Sequence, residues 1–385
     1  MSIETFYRDS WAEIDLSAVD YNIKQLKNRL YKGTKVYAVV KANAYGHGDV
    51  QVAEQALKSG AEALAVSLLD EAIKLREAGI EAPILVMGWI RPEDAPVAAS
   101  HQISVTVFQA EWLQKVSELQ LPTPLKVHMK WDTGMGRIGI RSNEEMDEIL
   151  SFIRKTSQFQ LEAVYTHFAT ADEEELDYYE EQSQRFESLM THLREVWKEP
   201  FFIHTGNSAA SMRFPGQMKQ FVRYGISMYG LYPSPLVKKE KPIDLKPAFA
   251  LKSRLVHVKK MEAGEAVSYG ATYRTSSEEW IGTVPLGYAD GWIRKLQGMD
   301  VIVDGKRHQI VGRICMDQFM IRLDQEYPVG TMVTLIGKEQ QAEVSADEVA
   351  AHLETINYEI PCMISSRVPR VYLRDGRIID VENSL

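Results

Sequence analysis

Several apolar runs in the sequence end in side chains that can do chemistry. Lys41 closes one run, Lys130 closes another, and His167 follows a third. A lysine that ends an apolar segment is costly when it is charged and unpaired, so it usually has a partner or a function. From its type and position alone, Lys41 fits a structural ion pair as well as it fits a catalytic amine.

The segment AVVKANAYGHG (38–48) gives Lys41 a chemical context. Tyr45 follows the lysine by four positions, and glycines open the loop. This suits a Schiff base between the amine and the aldehyde of a cofactor, with the phenol near a phosphate oxygen. A nucleophilic lysine needs a pKa below its usual value of about 10.4, and burial can supply that shift.

Two later segments offer donors for a phosphate group. Ser208 stands beside Asn207 at the start of a predicted helix, and the glycine-flanked amides of Gly225 and Ile226 follow an apolar run. Amides at a helix start and around glycine are suited to binding phosphate. A nucleophilic lysine together with a phosphate site indicates pyridoxal phosphate as the cofactor.

The elements that must position these residues alternate between short β-branched apolar runs and longer charged amphipathic stretches. Eight such runs predict a (β/α)8 barrel, and they span 36–40, 63–67, 84–87, 103–107, 125–129, 161–165, 201–204 and 222–228. A doubly wound open sheet is the alternative, but no G-x-G-x-x-G turn follows the first run. In a barrel the active site lies at the carboxyl ends of the strands, which is where the polar residues fall.

The pattern changes after the proline-rich segment 232–247. Period-two apolar alternation with Asp-Gly and other glycine-containing turns predicts antiparallel strands. We therefore expect an α/β fold with residues 1–240 as an N-terminal (β/α)8 TIM barrel and 241–385 as a mainly β C-terminal domain. Residues 1–12 are assigned to the first domain, with packing against the second as the alternative.

Composition argues against several functional classes. The 385 residues carry 44 Lys and Arg against 53 Asp and Glu, a formal net charge of −9. Without a basic stripe, a nucleic-acid partner is not expected. The two cysteines, Cys315 and Cys362, are too few for a disulfide framework and lack metal-ligand spacing, so no metal site is expected. No apolar stretch of about 18 residues and no secretory signal is present, so we expect a cytoplasmic protein outside the membrane.

Nine segments, in order along the chain, resemble motifs of bacterial alanine racemases. They are AVVKANAYGHG (38–48), WDTGMGRIGI (131–140), THFATAD (166–172), HTGNSAA (204–210), VRYGISMYG (222–230), SYGATY (268–273), PLGYADG (285–291), GRICMDQ (312–318) and NYEIPC (357–362). One segment alone would be a weak signal, because other barrel enzymes also carry a cofactor lysine. The resemblance implies a pyridoxal-phosphate-dependent racemase that interconverts L-alanine and D-alanine and supplies D-alanine for peptidoglycan.

The resemblance also implies how matching residues hold the cofactor. Lys41 matches the lysine that forms the Schiff base, and Arg223 matches the arginine that faces the pyridine nitrogen. The phosphate-binding groups correspond to Tyr45, Ser208, Gly225, Ile226 and Tyr358, with Asn207 in the same segment. Since the pKa of a guanidinium lies above about 12, it cannot accept the ring's proton, and the pyridine nitrogen would stay largely neutral.

Racemisation removes a proton from one face of Cα and returns one to the other face, which calls for two bases. The resemblance makes Lys41 the base for the D-substrate and Tyr269 the base for the L-substrate, with His167 between Tyr269 and Arg223. A tyrosine with its usual pKa of about 10 is a poor base at neutral pH, so it needs nearby positive charge or donors.

Substrate binding and assembly are implied in the same way. Arg137 matches an arginine that contacts the cofactor's phenolic oxygen and the substrate carboxylate, and Lys130 matches a lysine that is carbamylated in many relatives. Tyr269 and Met316 match residues that reach the active site of the other subunit, which implies a homodimer with composite sites. Tyr288 resembles a tyrosine that, with the one matched by Tyr358, narrows the entry to the cofactor and so suits a methyl side chain.

Three other functions stay open. A racemase for serine or for a broader set of amino acids would share every motif. A pyridoxal-phosphate decarboxylase of basic amino acids would benefit from an acidic group at the ring nitrogen, where this chain offers Arg223. A non-catalytic carrier of pyridoxal phosphate would consist of the barrel alone.

Overall fold

The computed structural model describes residues 6–383, and their contacts divide the chain into two compact units. The barrel unit comprises residues 19–44 and 49–246. The β unit comprises the other described residues, which are 6–18, 45–48 and 247–383. The β unit is therefore built from three separate stretches of chain.

The barrel unit contains eight parallel strands that close into a barrel, which confirms the predicted fold class. Strand β1 (Ser10–Asp15) belongs to the β unit. The barrel strands are β2 (Lys35–Val39), β3 (Ala63–Val66), β4 (Ile84–Val86), β5 (Ile103–Val107), β6 (Leu125–Lys130), β7 (Phe159–Tyr165), β8 (Phe202–His204) and β9 (Phe221–Tyr224). Each predicted run corresponds to one strand. Strands β3, β4 and β5 are buried at every position, as expected where one face meets the barrel interior and the other meets helices.

Helices alternate with these strands because the intervening sequences carry one apolar face. They are α1 (Leu16–Arg29), α2 (Lys41–Tyr45), α3 (Asp49–Lys58), α4 (Leu69–Glu77), α5 (Ala95–Ser100), α6 (Ala110–Ser117), α7 (Asn143–Lys155), α8 (Asp177–Val196), α9 (Ser208–Arg213) and α10 (Pro235–Glu240), with 3-10 turns at Pro92–Asp94, Pro215–Gln217 and Ile226–Tyr229. Helix α7 illustrates the rule: Ser142 caps its first turn, and Met146, Ile149 and Ile153 bury one side at helical spacing.

The β unit is mainly an antiparallel sheet. Its strands are β1 (Ser10–Asp15), β10 (Phe249–Arg254), β11 (His257–Met261), β12 (Ala266–Val267), β13 (Tyr273–Arg274), β14 (Glu279–Val284), β15 (Asp300–Val303), β16 (Lys306–Val311), β17 (Phe319–Leu323), β18 (Met332–Glu339), β19 (Ala342–Val344), β20 (Arg370–Arg374) and β21 (Arg377–Glu382). The main sheet runs β11-β14-β17-β16-β15-β18-β10-β1-β20-β21, β19 pairs with β18, and β12 pairs with β13.

Strand β1 is the element that sequence patterns do not predict. Its run SWAEID is short and charged, yet it lies between two strands from the far end of the chain. It pairs antiparallel with β10, with Ile14 opposite Phe249, and parallel with β20, with Ala12 opposite Arg370. Helices in this unit are α11 (Ala346–Leu353), α12 (Glu359–Met363) and 3-10 turns at Tyr269–Ala271, Tyr288–Asp290 and Arg294–Leu296.

Residues 6–383 lack two structural features. No helix combines the length and apolar character needed to cross a membrane. No group of three or more His, Cys, Asp or Glu side chains in the same residues is placed to hold a metal ion.

The short segment α2 follows β2 and has an unusual backbone. Residues 42–45 have φ values of 52–53°, in the left-handed region, and none of them is glycine. That conformation costs roughly 1–2 kcal/mol per residue, so neighbouring groups must hold it. One carboxylate oxygen of Glu71 accepts from the Ala42 amide at 2.6 Å, and the other accepts from the Ser67 and Leu68 amides at 2.8 and 3.0 Å. Glu71 therefore ties the strained turn after Lys41 to the start of α4.

We expect Glu71→Ala to lower the free energy of unfolding by about 2–3 kcal/mol, because three amides lose an ionised acceptor. Glu77→Ala removes a carboxylate from the same helix, where it is exposed and makes no ion pair among the described residues, so a change within about 0.5 kcal/mol is expected. Urea unfolding of both variants beside the wild type measures the difference. Equal midpoints for the two variants would contradict the anchoring role of Glu71.

Candidate active site

Four of the predicted site residues lie at the carboxyl ends of barrel strands. Lys41 follows β2, Lys130 is the last residue of β6, His167 comes two residues after β7, and Arg223 lies in β9. The carboxyl ends of parallel barrel strands meet at one rim, so these four side chains belong to the same end of the barrel. That rim is the candidate active site.

Arg223 is a buried cation whose hydrogen-bond partners among residues 6–383 are all neutral acceptors. One terminal nitrogen donates to Nδ1 and to the carbonyl oxygen of His204, both at 2.8 Å. The other donates to the Thr166 and Thr205 carbonyls at 2.8 and 3.2 Å and approaches Nδ1 of His167 at 3.3 Å. The Nε–H is the guanidinium donor that these contacts leave over. Burial lowers the pKa of Arg223 to about 10, where it still carries its proton at neutral pH.

His167 is neutral in this setting. Burial lowers its pKa well below the usual value, and the charges of Arg223, Arg137, Lys130 and Lys41 lower it further. Because a guanidinium can only donate, the contact with Arg223 makes Nδ1 of His167 the acceptor and leaves the ring proton on Nε2. The rim thus presents a neutral N–H donor among four cations.

Lys130 is 2% exposed, and its Nζ has no hydrogen-bond partner among the described residues. Burial, together with the charges of Arg223 and Arg137, lowers its pKa to about 8. The interaction that the amine does make is with the ring of Tyr165, whose centroid lies 5.5 Å from Nζ. A buried amine without a partner is a group that awaits an anion or a modification.

Arg137 lies on the loop between β6 and α7, and its side chain is exposed. One carboxylate oxygen of Asp132 accepts from the Gly134 and Gly136 amides at 3.1 and 2.9 Å and so shapes the loop. At Gly139, with φ of 134°, a Cβ would come within 2.4 Å of the Asp132 amide. The loop conformation therefore depends on glycine, and it leaves the side chain of Arg137 exposed, where it can bind a ligand.

The predicted phosphate donors lie after β8 and β9. Ser208 Oγ accepts from the Gly225 amide at 3.0 Å, which joins the two loops. Asn207 caps α9, accepting from Ala210, and also donates to the Phe168 carbonyl, so its observed role is structural. Ile226 begins a 3-10 turn, and a first-turn amide has no acceptor within its own helix. These loops are built to present backbone donors.

The β unit carries the remaining predicted residues. Tyr269 and Met316 are 70% and 53% exposed, and Tyr288 is also exposed, although large apolar side chains are usually buried. The turn that bears Tyr269 is strained, with φ of 65° at Ser268, whose hydroxyl donates to the Arg313 carbonyl at 2.6 Å. A fixed turn therefore holds the Tyr269 phenol out from the surface of this unit.

Two further predicted residues of the β unit lie close together. The rings of Tyr45 and Tyr358 have centroids 6.3 Å apart. Burial raises the pKa of Tyr45, so its phenol stays protonated and can donate.

Several polar residues of the barrel escaped the sequence analysis. His128, His204 and Glu162 belong to strands; the two histidines are fully buried and Glu162 is half-buried, and buried polar groups must find partners. The available signal is the histidine that ends the run FFIH and the one inside LKVHM, both in otherwise apolar strands.

The sequence of the chain matches known proteins over both of its units. Residues 14–233 match the family model described as "Alanine racemase, N-terminal domain", and 248–372 match "Alanine racemase, C-terminal domain". An alanine racemase of Geobacillus stearothermophilus is 55% identical, over 99% of this chain and 97% of its own length.

Solved structures extend the likeness to the whole fold. The alanine racemase of Bacillus anthracis with bound L-Ala-P has a TM-score of 0.96 at 49% identity, covering 98% of both chains. A histidine racemase of Leuconostoc mesenteroides has a TM-score of 0.89 at 31% identity, covering 95% of this chain and 98% of its own. The chain belongs to the alanine racemase family of pyridoxal-phosphate-dependent amino-acid racemases.

Proposed function

We propose that this chain binds pyridoxal phosphate and racemises alanine by a two-base mechanism, supplying D-alanine for peptidoglycan in the cytoplasm. The observation that carries the proposal is Arg223. It is a buried guanidinium with no carboxylate partner in residues 6–383. Its terminal nitrogens make the hydrogen bonds described above, so its Nε–H can donate to a ligand at the rim where Lys41 also lies. A donor at this place suits an unprotonated pyridine nitrogen.

The residues present fit the cofactor. Lys41 would supply the amine for the aldehyde carbon, and the guanidinium of Arg137 adds positive charge for an anionic ligand. The groups that would hold the phosphate are Tyr45, Ser208, Asn207, Tyr358 and the amides of Gly225 and Ile226. When bound, pyridoxal phosphate withdraws electrons from Cα of the attached amino acid and so acidifies the Cα proton.

Two side chains then move the proton. On the way from L- to D-alanine, Tyr269 removes the Cα proton on one face and Lys41 returns a proton on the opposite face. In the reverse direction, the two groups exchange these roles. Each face therefore has its own base, and stereochemistry is scrambled without a large rotation of the substrate.

His167 and Arg223 adjust the tyrosine. The neutral imidazole of His167 keeps its proton on Nε2, because Nδ1 faces a guanidinium that only donates. That Nε2–H is a donor for the oxygen of Tyr269 when the phenol loses its proton. Stabilising the phenolate in this way is what a tyrosine needs to act as a base near neutral pH.

Substrate recognition falls to Arg137 and Met316. Arg137 has no ion pair among the described residues and can pair with the substrate carboxylate. The amide of Met316 would bind the same carboxylate. Because the family fold also carries a histidine racemase, the choice of alanine over larger substrates is a separate question that the assay must address.

The activity assay starts from pure L-alanine and follows both enantiomers by chiral chromatography. The wild type should bring L- and D-alanine to equal amounts, and Lys41→Ala and Tyr269→Phe should lower kcat by at least about 10²-fold, since each removes one of the two bases. Serine and histidine serve as parallel substrates. Binding of cofactor without exchange of the Cα proton would instead support a carrier, and conversion of serine alone would support a serine racemase.

We also propose that the active site is shared between two copies of the chain. Tyr269 and Met316 are exposed on the β unit, and a base and a carboxylate donor have no use at a free surface. A head-to-tail homodimer would bring the β unit of one copy to the rim of the other, so each site would use Lys41 from one copy and Tyr269 from its partner.

Mixing two inactive variants tests the shared site. When Lys41→Ala and Tyr269→Phe chains exchange subunits, half of the dimers are mixed, and each mixed dimer has one site with both bases intact. About one quarter of the wild-type activity should return. If each site used residues of one chain only, every site would stay defective and mixing would restore nothing.

We further propose that Lys130 carries a carbamate. A neutral amine adds to the carbon of CO2 and releases one proton, and a pKa near 8 leaves a larger fraction of the Lys130 amine neutral at pH 7 than the usual lysine pKa would. The resulting carboxylate would give Arg137 and Arg223 a negative neighbour in a region that otherwise gathers positive charge.

¹³C-bicarbonate labelling detects the carbamate directly by NMR. We expect a carbamate carbon signal in the wild type that is lost in Lys130→Met and kept in Lys126→Met, which removes an exposed lysine of the same strand. The signal should fall as the pH drops below about 8, because a protonated amine does not react with CO2. Absence of the signal at pH above 8 would mean that Lys130 stays an unmodified amine.

A further inference from the structure

A row of hydrogen bonds crosses the interior of the barrel from Arg223 to Glu162. Arg223 donates to Nδ1 of His204 at 2.8 Å, Nε2 of His204 lies 3.0 Å from Nδ1 of His128, and Nε2 of His128 lies 2.9 Å from Oε2 of Glu162. Two imidazoles therefore connect a guanidinium at the rim with a carboxylate deeper in the barrel.

The guanidinium fixes every proton in this row. Because Arg223 can only donate, Nδ1 of His204 must be bare, and the one ring proton of His204 is on Nε2. That proton points at Nδ1 of His128, which must be bare as well. The proton of His128 is then on Nε2 and is donated to Glu162. Both imidazoles are neutral Nε2–H tautomers, and the contact between His128 and Glu162 is a hydrogen bond to a carboxylate rather than an ion pair.

The surroundings prevent the rings from turning. His128 and His204 are completely buried. The Tyr165 ring stacks on His204 with centroids 4.5 Å apart and planes 13° apart. The Tyr37 ring packs against His204 at 5.4 Å and edge-on against His128 at 6.2 Å. Each imidazole can keep its two hydrogen bonds only in the orientation observed.

Glu162 reaches the row because of an irregularity in β7. The pairing of β6 with β7 shifts between Val127, which is opposite Leu161, and His128, which is opposite Ala163. Glu162 is the residue passed over. A bulge of this kind re-aims a side chain, and such bulges are rare between parallel strands.

The other neighbours of Glu162 are donors too. Ser104 donates to Oε2 at 2.6 Å, and the ammonium of Lys126 lies 3.1 Å from Oε1. Burial by itself raises the pKa of Glu162, but the hydrogen bonds from His128 and Ser104 and the charge of Lys126 outweigh it and hold the pKa below its usual value. The carboxylate is therefore ionised at neutral pH.

The cations near the other end of the row are Arg223, Arg137 and, while its amine is unmodified and protonated, Lys130. Burial lowers the pKa of His204 well below its usual value, and the charge of Arg223 lowers it further. The row of hydrogen bonds that begins at Arg223 ends at the carboxylate of Glu162, with the two imidazole rings between them.

We propose that Glu162 is a positioning residue of the active site, which orients Arg223 through the neutral imidazoles of His128 and His204. With its terminal nitrogens committed to His204 and to backbone carbonyls, Arg223 has its Nε–H to offer at the rim. If His204 carried its proton on Nδ1, that N–H would face the guanidinium, and the two donors would push apart. The inference rests on the proposed function for the identity of the group that Nε–H meets, but the proton arrangement stands by itself.

The tautomers are measured on cofactor-bound protein labelled with ¹⁵N-histidine, by solid-state NMR. His128→Asn and His204→Asn identify the two rings by loss of signal. We expect both rings to be neutral with the proton on Nε2 from pH 6 to 9. A cationic ring, or a proton on Nδ1 of either ring in that range, would overturn the proposal whether or not the protein racemises alanine.

The role of the carboxylate is tested with Glu162→Gln, which keeps the shape and removes the charge. Lys126→Met is the matched control, because it removes another partner of Glu162 at the barrel surface and leaves the row intact. We expect Glu162→Gln to lower kcat about tenfold or more with KM for alanine nearly unchanged, as for residues that orient a functional group from behind it. In the Glu162→Gln protein, the absorption of the bound cofactor should also depend on pH differently from that of the wild type. The Lys126→Met protein should behave as the wild type in both measurements.

Two results would contradict this role. One is a Glu162→Gln protein that matches Lys126→Met in kcat and in the pH dependence of cofactor absorption. The other is a loss of activity that follows only the fraction of folded protein, with unchanged tautomers and absorption. If Glu162→Gln does not fold, Ser104→Ala, which removes one donor to the carboxylate, should give a smaller change in the same absorption.

Discussion

Arg223 is a cation inside the barrel that pairs with no carboxylate in the described part of the chain, and the rest of the site is arranged around that constraint. A buried charge is tolerated only if hydrogen bonds replace the water it has lost. Here those bonds come from three backbone carbonyls and two imidazoles. Since all of these groups must accept, the tautomers of the histidines are decided by the arginine. A carboxylate in direct contact would satisfy the charge more simply, but it would also offer a proton acceptor at the place where a donor is required.

The same rim gathers Lys41, Lys130 and Arg137, which makes it unfavourable for the protein alone and favourable with an anionic ligand. Stability is given up in the left-handed turn after Lys41 as well, where four residues take a conformation that ordinarily belongs to glycine. Strain and uncompensated charge in the same region are what a preorganised site is expected to show. The rest of the barrel, with strands buried on both faces, provides the stability that offsets the strain and the clustered charge at the rim.

Sequence patterns predicted the parts of the fold that depend on local repetition. Eight apolar runs became eight strands, and the polar residues that close them came together because parallel strands share one carboxyl end. Strand β1 could not be predicted from local patterns, because its partners β10 and β20 lie hundreds of residues away in the sequence. Glu162 was hidden for a different reason: the bulge reverses the facing that period-two alternation would assign to it. The left-handed turn carries Ala and Asn residues that give no local signal. The composite site that we propose was implied only by the resemblance to a known family, because apolar alternation within one chain carries no information about a second copy.

The interleaving of the two units has a consequence for the order in which the protein forms during synthesis. Every strand of the barrel has been translated once Tyr224 has been added to the chain, so the barrel can close before the β unit is complete. Strand β1 must wait for β20, which ends at Arg374, and Gly48 packs against Tyr372 from that same strand. Strand β1 is thus translated early and finds its place late. Until then, the residues around Lys41 belong to the barrel, whereas Tyr45–Gly48, a few positions later, belong to an unfinished sheet. The nascent chain then exposes a strand edge that a chaperone or a second copy could meet.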